Sequence, residues 1–114
     1  MIESALNKVH QAGLDEPFPL KYTAGRQQVN FIWQEFFLRN YESNAVWMHM
    51  GPLYVKLLQQ VDKERAKTYK EKYRQLIEQH KNFLEVFDDK GKPFNTPFYH
   101  CDSGMLWAAN YLTL

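Results

Sequence analysis

DKERAKTYKEKYRQLIEQHKN, running from Asp62 to Asn82, carries the strongest periodic signal in the chain. Ala66, Tyr69, Tyr73, Leu76 and Ile77 recur at three- and four-residue steps, Phe83 follows just beyond, and Lys, Arg and Glu fill the positions between. The spacing predicts an amphipathic helix from Lys63 to about Asn82, capped by Asp62, with its alternating charges on a solvated face. Immediately upstream, Val46, Trp47, Met50, Leu53, Tyr54, Leu57, Leu58 and Val61 form a wide apolar stripe that Ser43 or Asn44 can cap. Gly51-Pro52 lies inside it, and proline lacks a donor and clashes with the preceding turn. Either the element kinks there or its regular part begins at Pro52 as a first-turn residue. The Val61-Asp62 link is short enough to predict an antiparallel helical hairpin.

Working outward, Ile2, Ala5, Leu6 and Val9 predict a short N-terminal helix closed by Gly13. Residues 14–26 hold Pro17, Pro19 and Gly25 without periodicity and read as an irregular connection. Val29, Ile32, Trp33, Phe36 and Phe37 fit another helical stripe, although their β-branched and aromatic character also suits a strand. Past the hairpin, Phe83-Leu84-Glu85-Val86-Phe87 is an extended run that ends in the turn Asp88-Asp89-Lys90-Gly91. A last helix is expected after Asp102 or Ser103, with Met105, Leu106, Ala109 and Leu112 on its inner face. The expectation is one mainly α domain over residues 1–114: antiparallel helical hairpins with a short extended turn before the last helix.

Composition narrows the function. A chain of 114 residues with 45% hydrophobic and 24% charged content has the make-up of a globular domain. Its formal net charge of +1 provides no field to steer it onto nucleic acid or anionic lipid, so neither is expected as a partner. The single Cys101 excludes an intramolecular disulfide and a cysteine-rich zinc site. The N-terminal residues lack the basic start and apolar stretch of a signal peptide, and no apolar run nears the roughly 18 residues of a membrane span, so a cytoplasmic location is expected. No phosphate loop, nucleophile elbow or paired helical histidines occur, and no metal or cofactor is expected. Met48-His49-Met50 cannot converge on one ion from a helix. His100-Cys101-Asp102 reads better as structure than as chemistry, because sequence neighbours seldom face one another.

Glu85 is the residue with chemical interest. Between Leu84 and Val86, flanked by Phe83 and Phe87, its carboxylate would be partly desolvated if it faced inward, which favours the protonated form. Period-two alternation places Phe83, Glu85 and Phe87 on one face, so a proton acceptor would share a side with two aromatic rings. The alternative is a solvent-facing glutamate on an edge strand.

Residues 82–91, followed by Ser103-Gly104-Met105-Leu106-Trp107, resemble the C-terminal block of six-hairpin (α/α)6-toroid glycoside hydrolases: trehalases, processing α-glucosidases and amylo-α-1,6-glucosidases. Asn40-Tyr41-Glu42-Ser43-Asn44-Ala45-Val46-Trp47, running into Met50-Gly51-Pro52-Leu53-Tyr54, is similar to that family's tyrosine-to-tryptophan segment beside the sugar pocket. The resemblance covers residues 40–114. It departs from the family where Ser43-Asn44 replace an Arg-Gly pair and where Met105-Leu106 stand within a Gly-aromatic-Gly-Trp motif. It implies a partial toroid, with Glu85 as general base and Tyr41, Trp47 and Trp107 binding carbohydrate. Twelve helices of about 11–12 residues need roughly 140 residues before loops, so this chain would supply only part of such a ring. An inverting glycosidase needs a second carboxyl about 6.5–9.5 Å from the base. The family's acid lies N-terminal of the matched blocks, and nothing in residues 1–39 matches its motif. The implied function is therefore a carbohydrate-binding or processing unit that hydrolyses a glycoside only with a second chain or a missing N-terminal part. Exposed apolar surface on Phe31, Trp33, Phe36, Phe37 and Trp107 would favour a homo-oligomer or a complementary chain. The competing reading is a non-catalytic helical interaction domain. The two differ in whether Glu85 and Trp47 border one site.

Overall fold

The computed structural model describes residues 1–25, 33, 37, 38 and 40–114, apart from the Met105 side chain. Among these residues the elements run α1 (Ile2–Gln11), β1 (Val46–Trp47), α2 (Gly51–Leu58), α3 (Lys63–His80), β2 (Val86–Phe87), β3 (Asn95–Thr96), β4 (Tyr99–His100) and α4 (Met105–Leu112). β1 pairs antiparallel with β2, setting Val46 opposite Phe87 and Trp47 opposite Val86, and β3 pairs antiparallel with β4. The expected mainly α, toroid-like array is thus corrected to a mixed α/β fold. Val46-Trp47 is the cause: these β-branched and aromatic residues find extended partners on two sides, so pairing overrides the helical periodicity of residues 46–61. Lys21 bridges Val46 on one flank, with Trp47 N–H donating to Leu20 O at 2.9 Å, while Met48 N–H donates to Glu85 O at 3.0 Å on the other. The helix starts only at Gly51, with Pro52 in its first turn. Ser43 and Asn44 therefore cap no helix there.

The hairpin of α2 and α3 forms as the spacing predicts. The Asp62 side chain accepts from Arg65 N–H at 3.0 Å, and Ala66, Tyr69, Tyr73 and Leu76 are buried. Lys81, with φ 55°, ends α3 in the left-handed region. The small β1–β2 sheet divides the interior by strand alternation. Val46 and Phe87 join the larger core beneath the helices, with Phe18, Tyr54, Val55 and Tyr73, whereas Trp47 and Val86 face a smaller core with Ala45 and Phe94.

Two close fits lock the loop of residues 12–20 onto the helices. Tyr73 Oη donates to Pro19 O at 2.8 Å, and Gly51 lies so near this pair that a Cβ there would clash with both oxygens. Asp15 is fully buried and receives Tyr54 Oη at 2.9 Å and His10 Nδ1 at 3.0 Å; the Tyr69 ring lies beside that of Tyr54, and its phenol pKa is raised by burial first and by Asp15 next. These contacts join α1, the loop, α2 and α3 around one carboxylate.

The last helix differs from its expectation. Leu106, Ala109 and Leu112 are exposed, and Trp107, Ala108, Tyr111 and Leu114 pack on the larger core instead. Its N-cap is Gly104, without a side-chain bond. Gly104 allows the chain to pass close to Phe83 and Glu85: a Cβ there would sit 3.2 Å from Phe83 Cδ1 and from Trp107 Cε3. That tight passage fixes the helix rotation with Trp107 inward. The helical stripe expected through Val29, Ile32 and Phe36, together with Phe31, lies outside the described residues. Trp33 is 77% exposed, and Phe37 sets its ring edge-on to Phe98 at 4.8 Å.

Candidate functional site

Glu85 occupies a bend between an isolated Leu84–Ser103 bridge and strand β2. Its backbone is held on both sides, N–H donating to Asp102 O at 3.0 Å and C=O accepting from Met48 N–H. The bend breaks the alternation expected of residues 83–87. Phe83 and Phe87 enter the larger core, while the half-buried Glu85 carboxylate accepts from Tyr99 Oη at 3.0 Å. Glu85 does not share a face with those two aromatics. Its neighbours belong to a different set.

Tyr41 Oη donates to Tyr99 Oη at 3.4 Å, so two phenols lead in line to the carboxylate. The Tyr41 ring meets Trp47 edge-on at 4.7 Å and Tyr99 at 5.0 Å, and its backbone oxygen accepts from Trp47 Nε1 at 3.0 Å. Tyr22 stacks on Trp47 at 5.5 Å with 30° between the planes. His49 meets Trp47 edge-on at 5.6 Å and lies tilted at 42° to Trp107 at 5.2 Å. The sequence-selected residues Glu85, Tyr41, Trp47 and Trp107 thus fall in one connected cluster, Trp107 joining through His49. Trp47 is only 8% exposed, so its indole is mostly covered in this conformation.

Sequence reasoning missed Tyr22, His49 and Tyr99. Tyr22 lies in a Pro-punctuated stretch without periodicity, Tyr99 follows Pro97 in a strand of two residues, and His49 between two methionines draws notice as a metal ligand rather than as a ring. The Lys21–Val46 bridge, the β1–β2 pairing and the Leu84–Ser103 bridge assemble these distant segments, and none is a local signal. The cluster's charge is negative. Burial is the main cause of the raised phenol pKa values of Tyr22, Tyr41 and Tyr99; Glu42 and then Glu85 add to it at Tyr22, Glu85 and then Glu42 at Tyr41, and the bond to Tyr41 and then Glu85 at Tyr99. All three phenols remain protonated donors at neutral pH. Burial pushes His49 below the ordinary histidine value, and Glu85 partly offsets this.

A neutral His49 gives a pH prediction. The folded form resists the proton that the unfolded chain accepts near pH 6.5, so its contribution to stability is present above that pH and diminishes as pH falls through the lower folded value. The His49 Cε1 proton resonance is expected to titrate with a midpoint below 6.5; a midpoint above it would contradict this electrostatic picture.

Cys101 Sγ donates to Val86 O at 3.0 Å, and burial raises its thiol pKa, which describes a packed thiol rather than a nucleophile. His100 is exposed, and Asp102 Oδ1 accepts from Ser103 N–H at 2.6 Å. Among the described residues no three His, Cys, Asp or Glu side chains converge on a metal position, and no helix is long and apolar enough to cross a membrane.

No protein-family model, curated protein or solved structure matches this chain. The resemblance of residues 40–114 to six-hairpin glycosidases therefore rests on the quoted motifs alone.

Proposed function

We propose that the chain is a glycoside-hydrolase-like carbohydrate-binding unit, with Glu85 as acceptor for sugar hydroxyls and the rings around Trp47 as its apolar floor. The observation that carries this reading is a half-buried carboxylate joined through Tyr99 and Tyr41 to a group of aromatic rings. A saccharide presents hydroxyls at its rim and C–H groups on its faces, and this pairing of acceptor, phenolic donors and flat rings matches both. In the presence of a suitably placed acid from a second chain or a further segment, Glu85 would take a proton from water as the base of an inverting hydrolysis. The chain by itself binds and does not turn over. We place it in the cytoplasm, where the free Cys101 thiol stays reduced.

Trehalose and maltotriose, as α-glucoside probes, are expected to shift the indole N–H resonances of Trp47 and Trp107 at millimolar concentration. Glu85→Gln keeps an oxygen for Tyr99 but loses the charge, and should weaken binding about tenfold or more, as expected for a charged hydrogen bond. Unmoved indole signals with both sugars, or equal affinity in the variant, would remove the carbohydrate reading.

A second reading is favoured by a separate observation. Met50, Leu53, Leu57 and Val61 lie within one side of α2 and its flanks, and each is between 42% and 49% exposed. Such a stripe suits self-association, with or without a ligand. Light scattering is expected to give a mass above 13.6 kDa at high concentration, and Leu53→Glu should return it to the monomer value. A monomer mass for the parent protein at every concentration would reject this reading.

A further inference from the structure

We propose that the face of Trp47 beneath Tyr22 is the stacking subsite for a sugar ring, and that the Tyr22 side chain fills it until ligand arrives. This rests on the carbohydrate reading and adds the location of the ring-binding surface and its control. Among the described rings paired with Trp47, Tyr22 alone lies face-on; Tyr41 and His49 present edges at 73° and 84°. A flat occupant over the indole face is the geometry a pyranose would adopt there. Within this cluster Tyr22 is also the ring most open to solvent, 44% exposed while Trp47 beneath it is nearly closed. On this face the cover is a surface side chain, while the rest of the indole packs into the smaller core with Ala45, Val86 and Phe94.

The attachments of Tyr22 are unequal. Its backbone neighbours are fixed: Lys21 bridges Val46, Trp47 N–H donates to Leu20 O, and Thr23 N–H donates to Ser43 O at 3.2 Å. Among the described residues the side chain has the Trp47 stack, an edge-on ring contact with His49 at 6.0 Å and a long contact between its hydroxyl and His49 Nε2 at 3.4 Å. A weak hydrogen bond and two ring contacts at the surface are a small barrier, so a χ1 rotation can uncover the indole without moving the chain. Uncovering leaves the Trp47 face bordered by His49, with Trp107 beyond it, and by Tyr41, whose hydroxyl leads through Tyr99 to Glu85. A ring stacked there would set its hydroxyls toward that polar line. Tyr22 then competes with ligand for one surface, lowering affinity by the fraction of time it is closed.

The test uses Tyr22→Ala with all three tryptophans retained and each followed through its assigned indole N–H resonance. Quenching of the Trp47 signal by a soluble paramagnetic probe should rise severalfold, and maltotriose should bind about threefold to tenfold more tightly, the range expected for removing one aromatic stack. Unchanged quenching would overturn the cover, and increased quenching with unchanged maltotriose affinity would overturn the competition. If quenching rises but no α-glucoside binds either protein, the carbohydrate reading fails and takes this subsite with it. Tyr22→Phe is the control: it keeps the stack and loses the hydroxyl, and should stay closed.

Discussion

Gly51→Ala is expected to destabilise the protein by about 3–5 kcal/mol, combining overpacking in the interior with loss of a buried hydrogen bond. The added methyl would enter the space shared by Pro19 O and Tyr73 Oη, both fixed by the bond between them. Neither oxygen can retreat cheaply. Tyr73 is fully buried, edge-on to Phe18 at 6.3 Å, and Pro19 belongs to the loop closed by Asp15. Relaxation must therefore separate that loop from α3 or lift the start of α2. For a domain whose whole stability is of order 5–15 kcal/mol, the loss brings urea unfolding close to native conditions. Equilibrium urea denaturation followed by circular dichroism reads it directly. Tyr73→Phe provides the comparison: it removes the hydroxyl and should recover part of the loss when combined with Gly51→Ala. A variant with an unaltered midpoint would show that the loop does not pack as described.

Asp15→Ala should cost a similar amount, about 3–5 kcal/mol, the size seen when one member of a buried polar group is removed and its partners remain. The Tyr54 hydroxyl would be left buried without its acceptor, and the buried Tyr69 ring beside it would lose the same neighbouring carboxylate. His10 contributes less, because its ring is about half exposed and solvent screens the pair. Asp15→Asn retains one acceptor oxygen and should fall between the variant and the parent. A double-mutant cycle between Asp15→Ala and Tyr54→Phe is expected to show coupling of about 1–3 kcal/mol, since each substitution removes the other's penalty. Additive losses would mean the carboxylate is not the shared acceptor.

Neither Gly51 nor Asp15 announces these roles in the sequence. Gly51 reads as half of a helix-breaking dipeptide, and Asp15 as a polar residue in a Pro-rich connection without pattern. Both matter because the loop of residues 12–20 folds under α2 and α3, a contact between segments more than thirty residues apart. The candidate site has the same character. Glu85 attracts attention locally, since a carboxylate between apolar residues is uncommon, and Tyr41, Trp47 and Trp107 follow from motif resemblance. Tyr22 enters only because Lys21 bridges Val46, and His49 and Tyr99 because β1 pairs with β2 and Leu84 bridges Ser103.

What the chain determines by itself is α3, with its Asp62 cap and its buried Ala66, Tyr69, Tyr73 and Leu76, along with the helix α1 and the Asp88–Gly91 turn. These depend on residues within one or two turns of each other, where periodicity and capping act directly. Tertiary structure decided that Val46-Trp47 is a strand, that α4 turns Trp107 inward and Leu106 outward, and that Glu85 faces Tyr99. Each of those is a choice between two faces or two conformations of nearly equal local energy, settled by a partner distant in sequence.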